Sequence, residues 1–261
     1  MCIFIFICCK IFLSAAPKNE RIQKMSTETI IKYAARILTF LLVTPLHESA
    51  HGWMAKQLGD DTAERQGRIT LNPFAHLDPM GTILIILTGF GWANPVPVNP
   101  LLFKKVKKNG KRVTLRGGMA LTALAGPVSN LIAAFVIGLV YNILLCTETG
   151  RMSIILGAEY NPVMYTVMLL FSYLFSVNVG LAVFNLIPIP PLDGFHILSF
   201  FTNDKIDRFV RDNGQIIVRG FFALMLISTY IPQLTYPLRW LQGHVSNLLW
   251  MAVSWIPTVF G

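Results

Sequence analysis

The chain has 261 residues, of which 54% are hydrophobic and only 13% charged, and its mean hydropathy is +0.56. A soluble domain has about a quarter of its residues charged, so this composition excludes an ordinary soluble protein and implies one that spans a membrane several times. The net charge of +9 would suit nucleic acid, but its densest cluster (Lys104, Lys105, Lys107, Lys108, Lys111, Arg112 and Arg116) lies between apolar segments. That is where a cytoplasmic loop belongs, and no nucleic-acid partner is expected.

The apolar runs approach the roughly 20 residues that a helix needs to cross a bilayer. Short alternating strands are absent, which excludes a transmembrane barrel. The predicted fold is an all-α polytopic membrane protein with about five to six transmembrane or re-entrant helices. The four cysteines, Cys2, Cys8, Cys9 and Cys146, have no zinc-finger spacing and imply no disulfide framework.

Residues 1–24 form an apolar extension for which three readings compete: an extra span, a cleaved signal, or an over-extended start with Met25 as initiator. The last is preferred, because Ser26-Thr27-Glu28 reads as an ordinary helix start. Residues 25–261 are taken as a single integral membrane domain.

Thr29 to Lys56 is predicted to be a helix. Within it His47-Glu48-Ser49-Ala50-His51 is an H-E-x-x-H. Positions i and i+4 share a helix face, so both imidazoles can reach one metal ion. Glu48 then stands where a general base takes a proton from a water activated by the metal, the zinc-hydrolase arrangement. Ile37 to Leu46, just before, carries no charge. Ionisable groups at such a depth are costly and mark function. Pro45 frees a backbone carbonyl beside the motif.

Gly59 to Pro79 is a polar connection in which Arg68 to Leu71 reads as a short strand, and His76 as a loop or interface histidine. Met80 to Trp92 is apolar but short for a span, which suggests a re-entrant segment. The prolines of Asn94-Pro95-Val96-Pro97-Val98-Asn99-Pro100 then forbid helix. Two readings of this strip have equal weight: a plain surface loop, or extended chain that pairs with substrate backbone. Met119 to Leu145 is a span containing Ala125-Gly126-Pro127-Val128-Ser129-Asn130, whose small residues permit close packing and whose Asn130 can bond across helices. Cys146 to Tyr160 reads as a loop, and Val163 to Ile187 spans back.

That span ends in Asn185-Leu186-Ile187-Pro188-Ile189-Pro190-Pro191-Leu192-Asp193-Gly194. Zinc takes three protein ligands and an open position in hydrolases, and Asp193 is the best placed carboxylate to join His47 and His51. His196, three residues beyond Asp193, could be a further ligand, but three already suffice, so a role in packing or in supporting the ligands is preferred. Asn203 to Asn213 reads as a charged loop, followed by apolar segments Ile216 to Ile231 and Val245 to Val259. Trp240, Trp250 and Trp255 are expected interface anchors.

Taken together, HESAH at 47–51, GRITLNPFAHLDP at 67–79, NPVPVNP at 94–100, AGPVSN at 125–130 and FNLIPIPPLDG at 184–194 resemble the site-2 protease family of intramembrane zinc metalloproteases. The chain is similar to its short bacterial-type members without a PDZ domain. The resemblance implies one zinc on His47, His51 and Asp193, with Glu48 as general base. It implies that Asn185 supports the site or holds substrate. It also implies three core spans with a membrane-associated β-hairpin or re-entrant piece between the first and second. The implied substrates are single-span membrane proteins cut within or near the bilayer.

Asn94, Pro95 and Pro97 are the residues chosen for holding an extended substrate. The basic loop puts the chain in the cell membrane with Asp193 toward the cytoplasmic half. The competing reading is a non-catalytic metal-binding scaffold or transporter, against which the carboxylate beside the first His argues.

Overall fold

The computed structural model describes residues 27–81, 93–104 and 113–260. The expectations for residues 1–24, for most of Met80 to Trp92 and for most of the basic loop lie outside the described residues. The elements are α1 (Thr27–Leu58), α2 (Thr62–Arg65), α3 (Leu115–Leu145), α4 (Glu148–Leu156), α5 (Pro162–Asn185), α6 (Asp193–Phe201), α7 (Asp204–Tyr230), α8 (Tyr236–Val253) and α9 (Ile256–Phe260).

Helix starts follow the capping rule, in which a side-chain oxygen satisfies a backbone N–H that the first turn leaves orphaned. The Thr114 hydroxyl accepts from Gly117 N at 3.0 Å, and Asn161 Oδ1 accepts from Met164 N at 2.9 Å. Helix α5 stops where Pro188 arrives, since proline supplies no N–H.

Helix α3 is the central element, packing against α1, α5, α6 and α8. Ala134 and Gly138 make this possible, because small residues let helices approach closely. Ala134, Phe175, Val179 and Val183 form a buried cluster, on which Trp250 lies. The Trp250 ring sits 4.5 Å from that of Phe175, so this residue is a packing residue, while Trp240 and Trp255 are exposed.

Helices α3 and α5 are long and apolar enough to cross a membrane. A third span results if the bent pair Asp204–Ser228 and Gln233–Phe260 counts as one. The described residues therefore support a helical protein with two to three candidate spans, short of the five to six expected. No strand occurs among them; where a hairpin was implied there is one isolated bridge, Leu77 to Ala93.

The reason is local at the expected strand Arg68 to Leu71. The Thr70 carbonyl accepts from the Ser49 hydroxyl at 2.6 Å and from His76 Nε2 at 2.9 Å, and the Thr70 hydroxyl accepts from Asn72 N at 3.2 Å. Side chains thus take the place of a ladder.

Two expected loops are helical. Cys146 to Tyr160 contains α4, capped by Thr147. Asn203 to Asn213 opens α7, because Asn203 caps it and Asp204 and Asp207 sit favourably at the positive end of the helix dipole. Arg116 at the start of α3 donates to Thr202 O at 3.2 Å, to Asp204 Oδ1 at 2.5 Å and to Asp207. The basic end of α3 and the charged start of α7 therefore lie on one face of the molecule.

Candidate metal centre

His47 and His51 stand one turn apart on α1, and Asp193 opens α6 after the proline-rich turn. All three are buried, with at most 2% of their surface exposed. Nε2 of His47 lies 3.0 Å from Nε2 of His51, and Asp193 Oδ2 lies 3.2 Å and 3.3 Å from the two nitrogens. Gly194 lets the turn close: a Cβ there would strike the carbonyl oxygens of Leu186 and Ile187.

The other ring nitrogens decide what the trio is. His51 Nδ1 donates to the Thr122 carbonyl at 2.7 Å, and His47 Nδ1 donates to Asn130 Oδ1 at 2.5 Å. A neutral imidazole has one N–H, so both Nε2 atoms carry bare lone pairs. Two such nitrogens and a carboxylate oxygen are three acceptors in mutual contact in a buried place, which is repulsive without a cation among them. Ligands on a tetrahedron around zinc, with bonds of about 2.0–2.2 Å, are about 3.3 Å apart. Donor types and spacing both fit zinc. These are the residues that form a metal-compatible group among those described.

Gly126 of α3 faces the trio from the third side. A Cβ at that position would fall 2.6 Å from His47 Nε2 and would overlap the His51 ring as well. Only a glycine gives the imidazoles this room.

Glu48 is fully buried. Its Oε2 accepts from Val96 N at 2.9 Å, whereas Oε1 has no hydrogen-bond partner among the described residues. One oxygen is thus fixed and the other available. Val96 belongs to the proline strip, which is anchored along its length. Asn94 N donates to His76 O at 2.7 Å, and Asn99 N donates to Asp60 Oδ2 at 2.6 Å. Arg68 Nη2 donates to the carbonyls of Asn94 and Pro95 at 2.7 and 3.0 Å. The Asn94 side chain is exposed, and Pro95 and Pro97 are half-buried. Gly52, next to His51, allows Val96 to rest on α1, since a Cβ there would already press on Val96 at 3.1 Å.

Asn185 is buried, and its amide donates to Leu181 O of its own helix at 3.0 Å; no hydrogen bond joins it to the trio. The His196 ring lies 5.8 Å from that of Phe195, tilted by 60°, and stands outside the metal group. His76 is a buried loop residue whose Nε2 holds Thr70 O.

Four contributors escaped the sequence reading: the Thr122 carbonyl, Val96 N–H, Asp60, and Asn178, whose Oδ1 accepts from Asn130 Nδ2 at 2.9 Å. The first two are backbone groups with no residue signature. Asp60 lies in a Gly-Asp-Asp turn that resembles any polar loop. Asn178 had a signal, a lone amide within an apolar span.

The family model for peptidase family M50 matches residues 103–228, a stretch that includes Asp193. "Putative zinc metalloprotease YwhC" of Bacillus subtilis is 43% identical over 163 residues, covering 62% of this chain and 67% of that protein. "Putative zinc metalloprotease Rip2" of Mycolicibacterium smegmatis is 27% identical over 177 residues, covering 66% of this chain and 59% of that protein. No solved structure matches the chain.

Proposed function

Because the chain belongs to peptidase family M50 and is a zinc metalloprotease, we propose that it hydrolyses peptide bonds of membrane-embedded proteins, with Glu48 as the general base beside a zinc on His47, His51 and Asp193. The observation that carries this reading is the Glu48 carboxylate. One oxygen is tied to Val96 N–H, and the other is buried and unpartnered, on the residue that follows His47 in the helix that carries both histidines. A scaffold or transporter has no use for such a group, and that alternative falls with the family assignment.

Held by His47, His51 and Asp193, a zinc would supply a Lewis acid for the scissile carbonyl and would bring the pKa of a water to about 7. The chain's own residues do the rest. Thr122 and Asn130 orient the imidazoles. Burial excludes bulk water, which strengthens every charge interaction inside. Glu48 Oε1 accepts the proton of the attacking water and returns it to the leaving amine.

The substrate proposed is a single-span membrane protein. A buried site flanked by the apolar helices α3 and α5 suits a peptide bond arriving through the bilayer. That bond must first leave helical geometry, because a helix screens its carbonyls. The strip from Asn94 to Pro100 is the proposed holder of the extended chain, and its tie to Glu48 through Val96 would bring substrate to the base. Replacing residues 94–100 by a Gly/Ser linker is expected to abolish cleavage; cleavage at the wild-type rate would remove the strip from the account. The proposed setting is the cell membrane, with the Arg116–Asp204–Asp207 face in the cytoplasm. Asn185 is proposed to support the turn that carries Asp193.

The metal assignment is tested by zinc content of the detergent-purified chain. Wild type is expected to hold about one zinc and Asp193→Ala a small fraction of that, since a site of three protein ligands is cut to two. Equal zinc in both would refute Asp193 as a ligand.

A further inference from the structure

We infer that Asn178 is a positioning residue for the metal site, acting through Asn130 to hold His47 in the tautomer that presents a bare Nε2. The inference rests on the zinc site proposed above and deepens it. The observation is an unbroken chain of hydrogen bonds across three helices. His47 Nδ1 on α1 meets Asn130 Oδ1 on α3 at 2.5 Å. Asn130 Nδ2 donates to Asn178 Oδ1 on α5 at 2.9 Å. Asn178 Nδ2 donates to Leu174 O, one turn back on the same helix, at 2.7 Å.

The direction of this chain is forced from its far end. A backbone carbonyl can only accept, so Leu174 O takes the NH2 group of Asn178. That turns Asn178 Oδ1 toward α3, where it demands the NH2 of Asn130. Asn130 Oδ1 is then left facing His47 and demands a proton on Nδ1. With that proton on Nδ1, Nε2 is bare. Were Asn130 turned over, its NH2 would face Nδ1, the imidazole proton would sit on Nε2, and the ligand lone pair would be lost.

His51 needs no such relay. Its Nδ1 donates straight to the Thr122 carbonyl, a backbone group that cannot turn over. The partner of His47 is a side-chain amide that can, and Asn178 is what fixes it. His47 and Asn130 are fully buried and Asn178 is 1% exposed, so bulk water is not at hand to replace a missing link.

A double-mutant cycle in zinc affinity tests this on the full chain in detergent. The dissociation constants of wild type, Asn130→Ala, Asn178→Leu and the double variant are measured by competition with a chromophoric chelator. Circular dichroism of each metal-free protein reports the fold. Residues behind a metal ligand typically contribute roughly 10- to 100-fold in affinity, and Asn178→Leu is expected to weaken zinc about tenfold.

In the Asn130→Ala background the same change is expected to cost less than about twofold, because residues that share one network are not additive. An equal loss in both backgrounds would mean that Asn178 acts by general packing and would overturn the inference, as would unchanged affinity in Asn178→Leu. If Asn178→Leu does not fold, Asn178→Ala enters the same cycle with the same two readings. A wild type that binds no zinc at all would instead strike the metal site itself.

Discussion

Glu48→Gln is expected to keep about one zinc per chain and to lose roughly 100- to 10,000-fold in hydrolysis, the range that a positioned general base contributes. The substitution is close to isosteric, so packing around α1 is preserved. The amide oxygen that it introduces can still accept from Val96 N–H. Its NH2 group then occupies the place of Oε1, where it can donate but cannot take a proton. The metal is expected to stay, because the group proposed to hold it is His47, His51 and Asp193. Zinc by mass spectrometry and turnover of a membrane substrate are measured on the same preparation. Turnover within twofold of wild type would remove Glu48 from the chemistry.

Gly126→Ala is expected to bring zinc occupancy to less than about a tenth of wild type. The added methyl would lie 2.6 Å from His47 Nε2 and against the His51 ring, closer than a non-bonded carbon sits to a ring nitrogen. Two relaxations are open. Either α3 moves outward, which breaks the bonds that Thr122 and Asn130 make to the imidazoles, or the rings rotate away from Asp193. Both dismantle the ligand set. Overpacking of this kind also costs about 1–3 kcal/mol in stability, so a lower midpoint of thermal unfolding should accompany the loss. Full zinc occupancy in Gly126→Ala would show that α3 does not close on the trio as described.

The site was legible in the sequence to the extent that its chemistry is carried by side chains at local spacing. His47, Glu48 and His51 follow from one helical turn placed against an apolar run. Asp193 follows from a helix end, a proline-rich turn and the needs of zinc for a third ligand. The turn's geometry adds the reason for Gly194, which sequence alone does not give.

What stayed hidden is carried by long-range and backbone contacts. No residue type announces that the Thr122 carbonyl orients His51 or that Val96 N–H holds Glu48. Asn130 was legible as a polar residue within a span, but its target was not. Asn178 stood out in the same way, as an amide within an apolar span, but its link to Asn130 did not.

The fold was legible as helical and membrane-spanning, and less so in its divisions. Charge made Asn203 to Asn213 look like a loop, yet a capping Asn followed by acidic residues is also how a helix begins, and the second signal prevailed. The strand expected at Arg68 to Leu71 gave way because Ser49, Asn72 and His76 satisfy Thr70. Asn185 bonds within its own helix, so its part in the site is not written in the hydrogen bonds.

The most direct test of the central claim is cleavage in reconstituted vesicles. The purified chain, wild type beside Glu48→Gln, is incorporated with a single-span reporter protein, and the products are read by mass spectrometry. The account predicts a zinc-dependent cut by the wild type at a bond within the reporter's span, and none by Glu48→Gln. A cut confined to the reporter's aqueous flanks, or one made equally by both proteins, would contradict it.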